Sequence, residues 1–82
     1  MKNTHLPKTI IGIDLGDIRN AICVLTPDGT IIEERTIPST EESLEKLAKK
    51  YPQSRIAIEV GGSSPWISRL LKKEGCEVID SC

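Results

Sequence analysis

Residues 9–15, with the sequence TIIGIDL, decide the fold of this 82-residue chain. The stretch is largely apolar and rich in β-branched side chains, which is typical of a strand buried on both faces of a sheet. An acid, Asp14, stands near its end, where open α/β sheets gather their ligands. We therefore expect a central first strand, with the other elements added outward from it.

The segments that follow this strand predict an antiparallel meander. Residues 18–25 are apolar enough for a second strand, and residues 30–36, which carry three charges, suit the half-solvated edge of a sheet. Between them, residues 26–29 read TPDG, a turn sequence in which proline fixes φ and glycine permits positive φ. The first three strands are therefore expected to be joined by short turns.

The second half of the chain predicts two helical crossovers. Ser39-Thr40, followed by two acids, supplies a hydroxyl cap, and Pro65 suits the first turn of a second helix. The predicted elements are a helix from this cap to Pro52, a strand over residues 54–60, a helix between Pro65 and Gly75, and a strand over residues 76–80. With right-handed crossovers, the order β-β-β-α-β-α-β gives a five-stranded mixed sheet, order 3-2-1-4-5, with both helices on one face. This is the ribonuclease-H-like α/β architecture.

Composition allows one small domain and excludes several classes of function. We expect a flexible lead-in over residues 1–8 and a partial ribonuclease-H-like domain over residues 9–82. A formal charge of −1 argues against strong general binding to nucleic-acid phosphates, and one Trp, one Tyr and no Phe exclude a base-stacking platform. The apolar runs are too short to cross a membrane or to form a secretion signal. The three cysteines lack metal spacing, so we expect reduced thiols in a cytoplasmic protein.

Two carboxylates are the main candidate site residues. Strand alternation puts Gly12 and Asp14 on one face of the first strand, and Ala57 and Glu59 on one face of the fourth. Because these strands should be parallel neighbours, both acids would meet at the carboxyl ends of the strands. Carboxylate oxygens suit Mg²⁺, and two such ions can clamp the oxygens of a phosphodiester transfer. We therefore predict catalytic and metal-binding roles for both acids; the alternatives are a turn-capping Asp and a solvated Glu.

Other residues are weaker candidates. Asp17 suits the turn between the first two strands, and Asp80 lies near the end of the chain. Trp66 falls on the predicted apolar face of the second helix, so we expect it in the core rather than against DNA.

Two motifs carry a resemblance to a known family. The first is residues 11–14, IGID, followed by a hairpin; the second is residues 58–62, IEVGG, followed by Pro65-Trp66 and by residues 73–78, KEGCEV. Together they resemble the DEDD transposases, insertion-sequence recombinases with a RuvC-like N-terminal domain and a distant serine-bearing domain. The resemblance spans roughly residues 10–80. The chain departs from the pattern in having Val60 for the usual alanine and no threonine before the glycine pair.

The resemblance implies roles and partners. Asp14 would be the first acid of the DEDD set and Glu59 the second, whereas the remaining acids and the serine domain would lie beyond this chain. Mg²⁺ would be the cofactor, and DNA and an element-encoded guide RNA would be the partners during transposition. We expect the isolated chain to be a truncated catalytic domain without activity, because half a metal site binds Mg²⁺ poorly.

Three alternatives remain open from the residues themselves. A fragment of an actin-like ATPase or sugar kinase would use residues 11–16 as a phosphate loop, although Asp17 would repel phosphate. A Holliday-junction resolvase-like nuclease shares the Asp14 strand but not the Glu59 region. A non-catalytic interaction remnant would need neither acid. We also expect the chain to self-associate through the sheet face without helices or through the fifth strand, because exposed apolar surface promotes association.

Overall fold

A computed structural model of the protein describes residues 8–59 and 65–81, with side chains for all of these except Glu59, Asp80 and Ser81. The elements, in chain order, are β1 (Ile10–Asp14), β2 (Arg19–Leu25), β3 (Ile31–Pro38), α1 (Glu41–Lys50), β4 (Arg55–Glu59), α2 (Pro65–Lys73) and β5 (Glu77–Ser81). They form a five-stranded mixed sheet with the order β3-β2-β1-β4-β5. The predicted fold class and strand order are confirmed. The predicted lead-in lies, apart from Lys8, outside the described residues.

The central strand is β1, as its apolar sequence predicts. It pairs antiparallel with β2 and parallel with β4, and β4 pairs parallel with β5. Both helices pack on one face of the sheet, where alternate strand residues and the apolar stripes of the helices form a single core. The buried core residues are Ile11, Ile13, Ile22, Val24, Ile37, Leu44, Leu47, Ala48, Ile56, Ile58, Ile67, Leu71 and Cys76. Each fully buried large aliphatic side chain contributes roughly 1.5–3 kcal/mol by leaving water.

Local signals fix the helix bounds. The Thr40 side chain accepts a hydrogen bond from the Ser43 N–H at 3.2 Å, which confirms the predicted hydroxyl cap and assigns it to Thr40 rather than Ser39. Lys49 and Lys50 occupy the last turn of α1, where positive charge is favoured. After α2 the chain reverses at Gly75 with φ of 94°, a conformation that glycine adopts without a steric penalty.

Strand β3 extends further than the sequence indicates. The prediction ended at residue 36, but Ile37 and Pro38 continue the pairing, opposite Asn20 and Arg19. Ile37 is buried and so ties the end of this edge strand to the core. Proline is tolerated there because a terminal position on an edge strand does not require an N–H donor.

The expectation for Trp66 is wrong. Its side chain is 38% exposed, whereas Ile67 and Leu71 carry the buried contact of α2. Ile67 and Leu71 are four residues apart and therefore point to the same side of the helix, while Trp66 lies on the flank. It lines a shallow groove between the two helices, where Glu45 and Arg69 are also found.

The two described helices have ten and nine residues. Neither helix in the described part of the chain is long and apolar enough to cross a membrane, since a span needs about 20 residues.

Candidate metal centre

Strands β1 and β4 end at the same level of the sheet. Their parallel register pairs Gly12 with Ala57 and, two residues on, Asp14 with Glu59. Each acid is the last residue of its strand, so the backbone brings the two predicted site residues to adjacent positions at the carboxyl edge. The Glu59 side chain lies outside the described atoms, and the shared metal role of the two acids stays a prediction.

The sheet face that carries Asp14 is the face opposite the helices, and we call it the open face. No described element packs over it. Its middle is built from small residues, and Ala21 and Ala57 are exposed. A trough of about 610 Å³ follows this surface, with Gly12, Asp14, Ala21, Cys23 and Ala57 among its lining residues and Glu34 and Thr36 along its β3 side. The small side chains leave room for a ligand beside the acid.

The Asp14 carboxylate is accessible. The residue is exposed, and within residues 8–59 and 65–81 no side chain forms a hydrogen bond or ion pair with it. Other acids of the chain are engaged: Glu77, for example, accepts a hydrogen bond from Lys8 at 2.8 Å. An ionised carboxylate with unoccupied oxygen lone pairs is suited to bind a hard cation.

The turn after Asp14 is tightly held. Gly16 cannot carry a side chain, because a Cβ there would collide with the carbonyl oxygen of Arg19. The Gly16 N–H donates to Oδ1 of Asn20 at 3.2 Å. The Ser39 N–H donates to the carbonyl oxygen of Ile18 at 2.9 Å, which joins the turn to the segment between β3 and α1.

The two weaker candidates, Asp17 and Asp80, are not register partners of Asp14 or Glu59. Asp17 lies exposed in the turn after β1. Asp80 is the register partner of Ile58, which faces the helices, whereas Ser81 is the partner of Glu59. Because successive strand residues alternate between the two faces, position 80 belongs to the helix-covered face.

The ligand atoms of the two acids indicate which kind of cation would suit the carboxyl edge of the sheet. Two carboxylates at adjacent strand ends supply the hard oxygen ligands that Mg²⁺ prefers, and Mg²⁺ commonly keeps several waters. Among the described residues no group of three or more His, Cys, Asp or Glu side chains is close enough to hold a metal ion. The two acids therefore have ligand chemistry that suits Mg²⁺, and a metal at this edge of the sheet stays a prediction.

Sequence reasoning missed a polar cluster on the other side of the sheet. Glu33 of β3 accepts hydrogen bonds from the Tyr51 hydroxyl at 2.6 Å and from Lys50 at 3.1 Å, and it also pairs with Arg35. The Tyr51 hydrogen bond, followed by those from Lys50 and Arg35, lowers the pKa of Glu33 to about 2. The same contact raises the pKa of Tyr51. This cluster fastens the edge strand to the end of α1.

All five strands contribute residues to a segment that matches a protein-family model. A family model described as a transposase, of the IS110-type DEDD group, matches residues 11–80, which covers most of the 82 residues. The chain belongs to the IS110-type DEDD transposase family. The match begins in β1 and runs into β5, so it includes both Asp14 and Glu59. Among curated proteins, no sequence matches the chain.

Membership of the transposase family bears on two of the three alternatives raised by the sequence, and the third, a non-catalytic remnant, stays open. It favours the transposase interpretation over a fragment of an actin-like ATPase or a junction resolvase. The resemblance inferred from the IGID and IEVGG motifs is confirmed at the level of the family.

Proposed function

We propose that this transposase chain supplies two ligands, Asp14 and Glu59, to a Mg²⁺ site at which a DNA phosphodiester is cut during transposition. The observation that carries the proposal is the parallel register of β1 and β4, in which the two acids are partners at the carboxyl edge of the sheet. This edge is where open α/β sheets bind their ligands.

The surroundings of the acids support a role in DNA chemistry. The open face lets a DNA strand approach Asp14, because the residues beside Asp14, which are Gly12, Ala21 and Ala57, are small. Two carboxylates repel a phosphate, so a cation bound between them is needed before DNA can approach closely. When bound, Mg²⁺ supplies Lewis acidity toward a phosphate oxygen. The chain holds the cation and leaves space for the scissile phosphate.

The partners that we propose are DNA and an element-encoded guide RNA. The net charge of −1 gives little general attraction to phosphates. We therefore expect this chain to contact the substrate strand chiefly through the cation, and to show weak DNA affinity and no DNA cleavage by itself.

Paramagnetic broadening by Mn²⁺ in NMR spectra of the chain tests the metal site. In the wild type, Mn²⁺ should broaden the amide signals around Asp14 and Glu59 before others. Asp14→Asn and Glu59→Gln should each weaken the response at least about tenfold, since even loss of a supporting residue around a metal commonly costs 10–100-fold in affinity.

Glu34→Gln is the matched control, because Glu34 is an exposed acid that lines the β3 side of the same trough. It should leave the response unchanged. Equal broadening in all variants, or broadening centred on other acids, contradicts the proposal.

A further inference from the structure

Asn20 is distinctive among the buried side chains because, among the described residues, only half of its amide has a partner. The residue is 0% exposed and is the second residue of β2, on the helix-covered face. Its Oδ1 accepts the hydrogen bond from Gly16, whereas its Nδ2 has no acceptor within the described part of the chain. A buried donor without an acceptor is destabilising.

Stability does not account for an asparagine at this position. The next residues on the same face of β2 are Ile22 and Val24, which are buried in the core. A leucine at position 20 would continue this aliphatic row without burying a donor that has no acceptor among the described residues. Gly16 is exposed, so its N–H could then bond to water. The amide of Asn20 is therefore better explained by the contact that it makes with the turn.

That contact fixes the backbone just beyond Asp14. Gly16 lies two residues after the acid, and its N–H is the group that Asn20 holds. The other end of the turn is held separately, by the hydrogen bond from Ser39 to Ile18. Among the described side chains, Asn20 is the one that forms a hydrogen bond with the start of the turn. Ligand side chains need supporting residues that hold them within about 0.5 Å of the productive geometry.

We propose that Asn20 is a positioning residue for Asp14: its buried amide oxygen holds Gly16, and thereby the end of β1, so that the Asp14 carboxylate meets a cation next to Glu59. The metal part of this inference rests on the proposed function. The effect of Asn20 on the turn does not, and the two parts are measured separately.

Two substitutions separate positioning from stability. Asn20→Leu removes the acceptor oxygen and the Nδ2 donor together, while it keeps four non-hydrogen side-chain atoms branched at Cγ. Asn20→Asp keeps an oxygen for Gly16 but buries a carboxyl group among aliphatic side chains. For each variant of the 82-residue chain, three quantities are measured: the urea unfolding midpoint, the exchange rate of the Gly16 amide hydrogen, and the Mn²⁺ concentration that broadens the Asp14 signal.

The two variants should behave in opposite ways. Asn20→Leu should keep or raise the unfolding midpoint, accelerate Gly16 exchange roughly five- to tenfold through loss of one hydrogen bond, and raise the required Mn²⁺ concentration about tenfold. Asn20→Asp should lower the midpoint but leave Gly16 exchange and the Mn²⁺ response close to the wild type. Ser54→Ala removes the other buried polar group, a hydroxyl just before β4, and should alter neither Gly16 exchange nor the Mn²⁺ response.

A purely structural role for Asn20 would make Gly16 exchange and the Mn²⁺ response follow the unfolding midpoint in both variants, and this outcome overturns the inference. Unchanged Gly16 exchange in Asn20→Leu also overturns it. If Mn²⁺ does not bind the wild type near Asp14, the proposed metal site fails. In that case, faster Gly16 exchange together with a changed Asp14 carboxyl ¹³C shift in Asn20→Leu still supports positioning of the acid.

Discussion

The two faces of one sheet differ in what their side chains do. The helix-covered face carries large aliphatic residues such as Ile11 and Ile56, which are fully buried. On the open face the same strands carry Gly12 and Ala57, with the two acids at the strand ends. Side chains of β1 and β4 alternate between the faces. Each of these five-residue strands therefore contributes to stability on one face and to the candidate site on the other. Small residues on a central strand therefore indicate which face of the sheet carries the candidate site.

Substitution of the core gives the largest effect expected from this contrast. Ile11→Ala should destabilise the chain by about 2–5 kcal/mol, because it leaves a cavity under both helices. Ala57→Ser, on the open face of the neighbouring strand, should change the free energy of unfolding by less than about 0.5 kcal/mol. Urea unfolding followed by circular dichroism measures both values. Similar losses in the two variants would break the distinction between the faces.

The open face should also govern association between copies of the chain. Ile79 of β5 is 45% exposed and is the register partner of Ala57. If copies associate through this face or through the β5 edge, Ile79→Lys should weaken association about tenfold or more, since burial of an isoleucine contributes roughly 1.5–3 kcal/mol. Sedimentation equilibrium over a range of concentrations gives the constant.

Ile18→Lys is the control for association, because Ile18 is 79% exposed but lies in the turn after β1. It should leave association unchanged. A wild-type monomer at every concentration would refute self-association altogether.

The N-cap of α1 should contribute a smaller effect to the helix-covered side. Thr40→Ala should lower the free energy of unfolding by about 1 kcal/mol, because the Ser43 N–H loses its acceptor. Ser39→Ala, one residue earlier, removes a side chain without this capping bond and should cost less than half as much. Equal effects in a urea titration would show that Thr40 does not act as the cap.

Low pH should slightly weaken the contact of β3 with the end of α1. The pKa of Glu33 is lowered from its ordinary value of 4.5 to about 2 in the folded chain. Its stabilising contribution is therefore complete above about pH 4.5 and is lost as the pH falls through about 2. Glu33→Gln should flatten this part of the stability–pH curve. A curve that is identical in both proteins between pH 2 and pH 5 would exclude a role for Glu33 in acid stability.

Periodicity and turn chemistry predicted most of the fold. The apolar run of residues 9–15, the TPDG turn and the Thr40 cap act locally, so each could be recognised without tertiary information. The adjacency of Asp14 and Glu59 followed from one further step, the assignment of β1 and β4 as parallel neighbours. Alternation then placed Gly12 and Ala57 on the face of the acids.

Features that depend on packing could not be predicted in the same way. Trp66 and Ile67 are adjacent in the sequence, and the packing of α2 in the folded chain decides which of them is buried. Asn20 interrupts an alternating pattern that continues with Ile22, and this was the available signal of a special role. The Glu33 contacts join β3 to α1 across 18 residues, which local patterns do not report.

The proposed function requires the open face to bind a divalent cation between Asp14 and Glu59. A crystal structure of the chain grown with Mn²⁺, with anomalous scattering to locate the metal, tests this most directly. The account predicts a peak about 2.1 Å from a carboxylate oxygen of each acid, at the carboxyl ends of β1 and β4. Metal bound only at other carboxylates, or Asp14 and Glu59 side chains directed to opposite faces of the sheet, would contradict it.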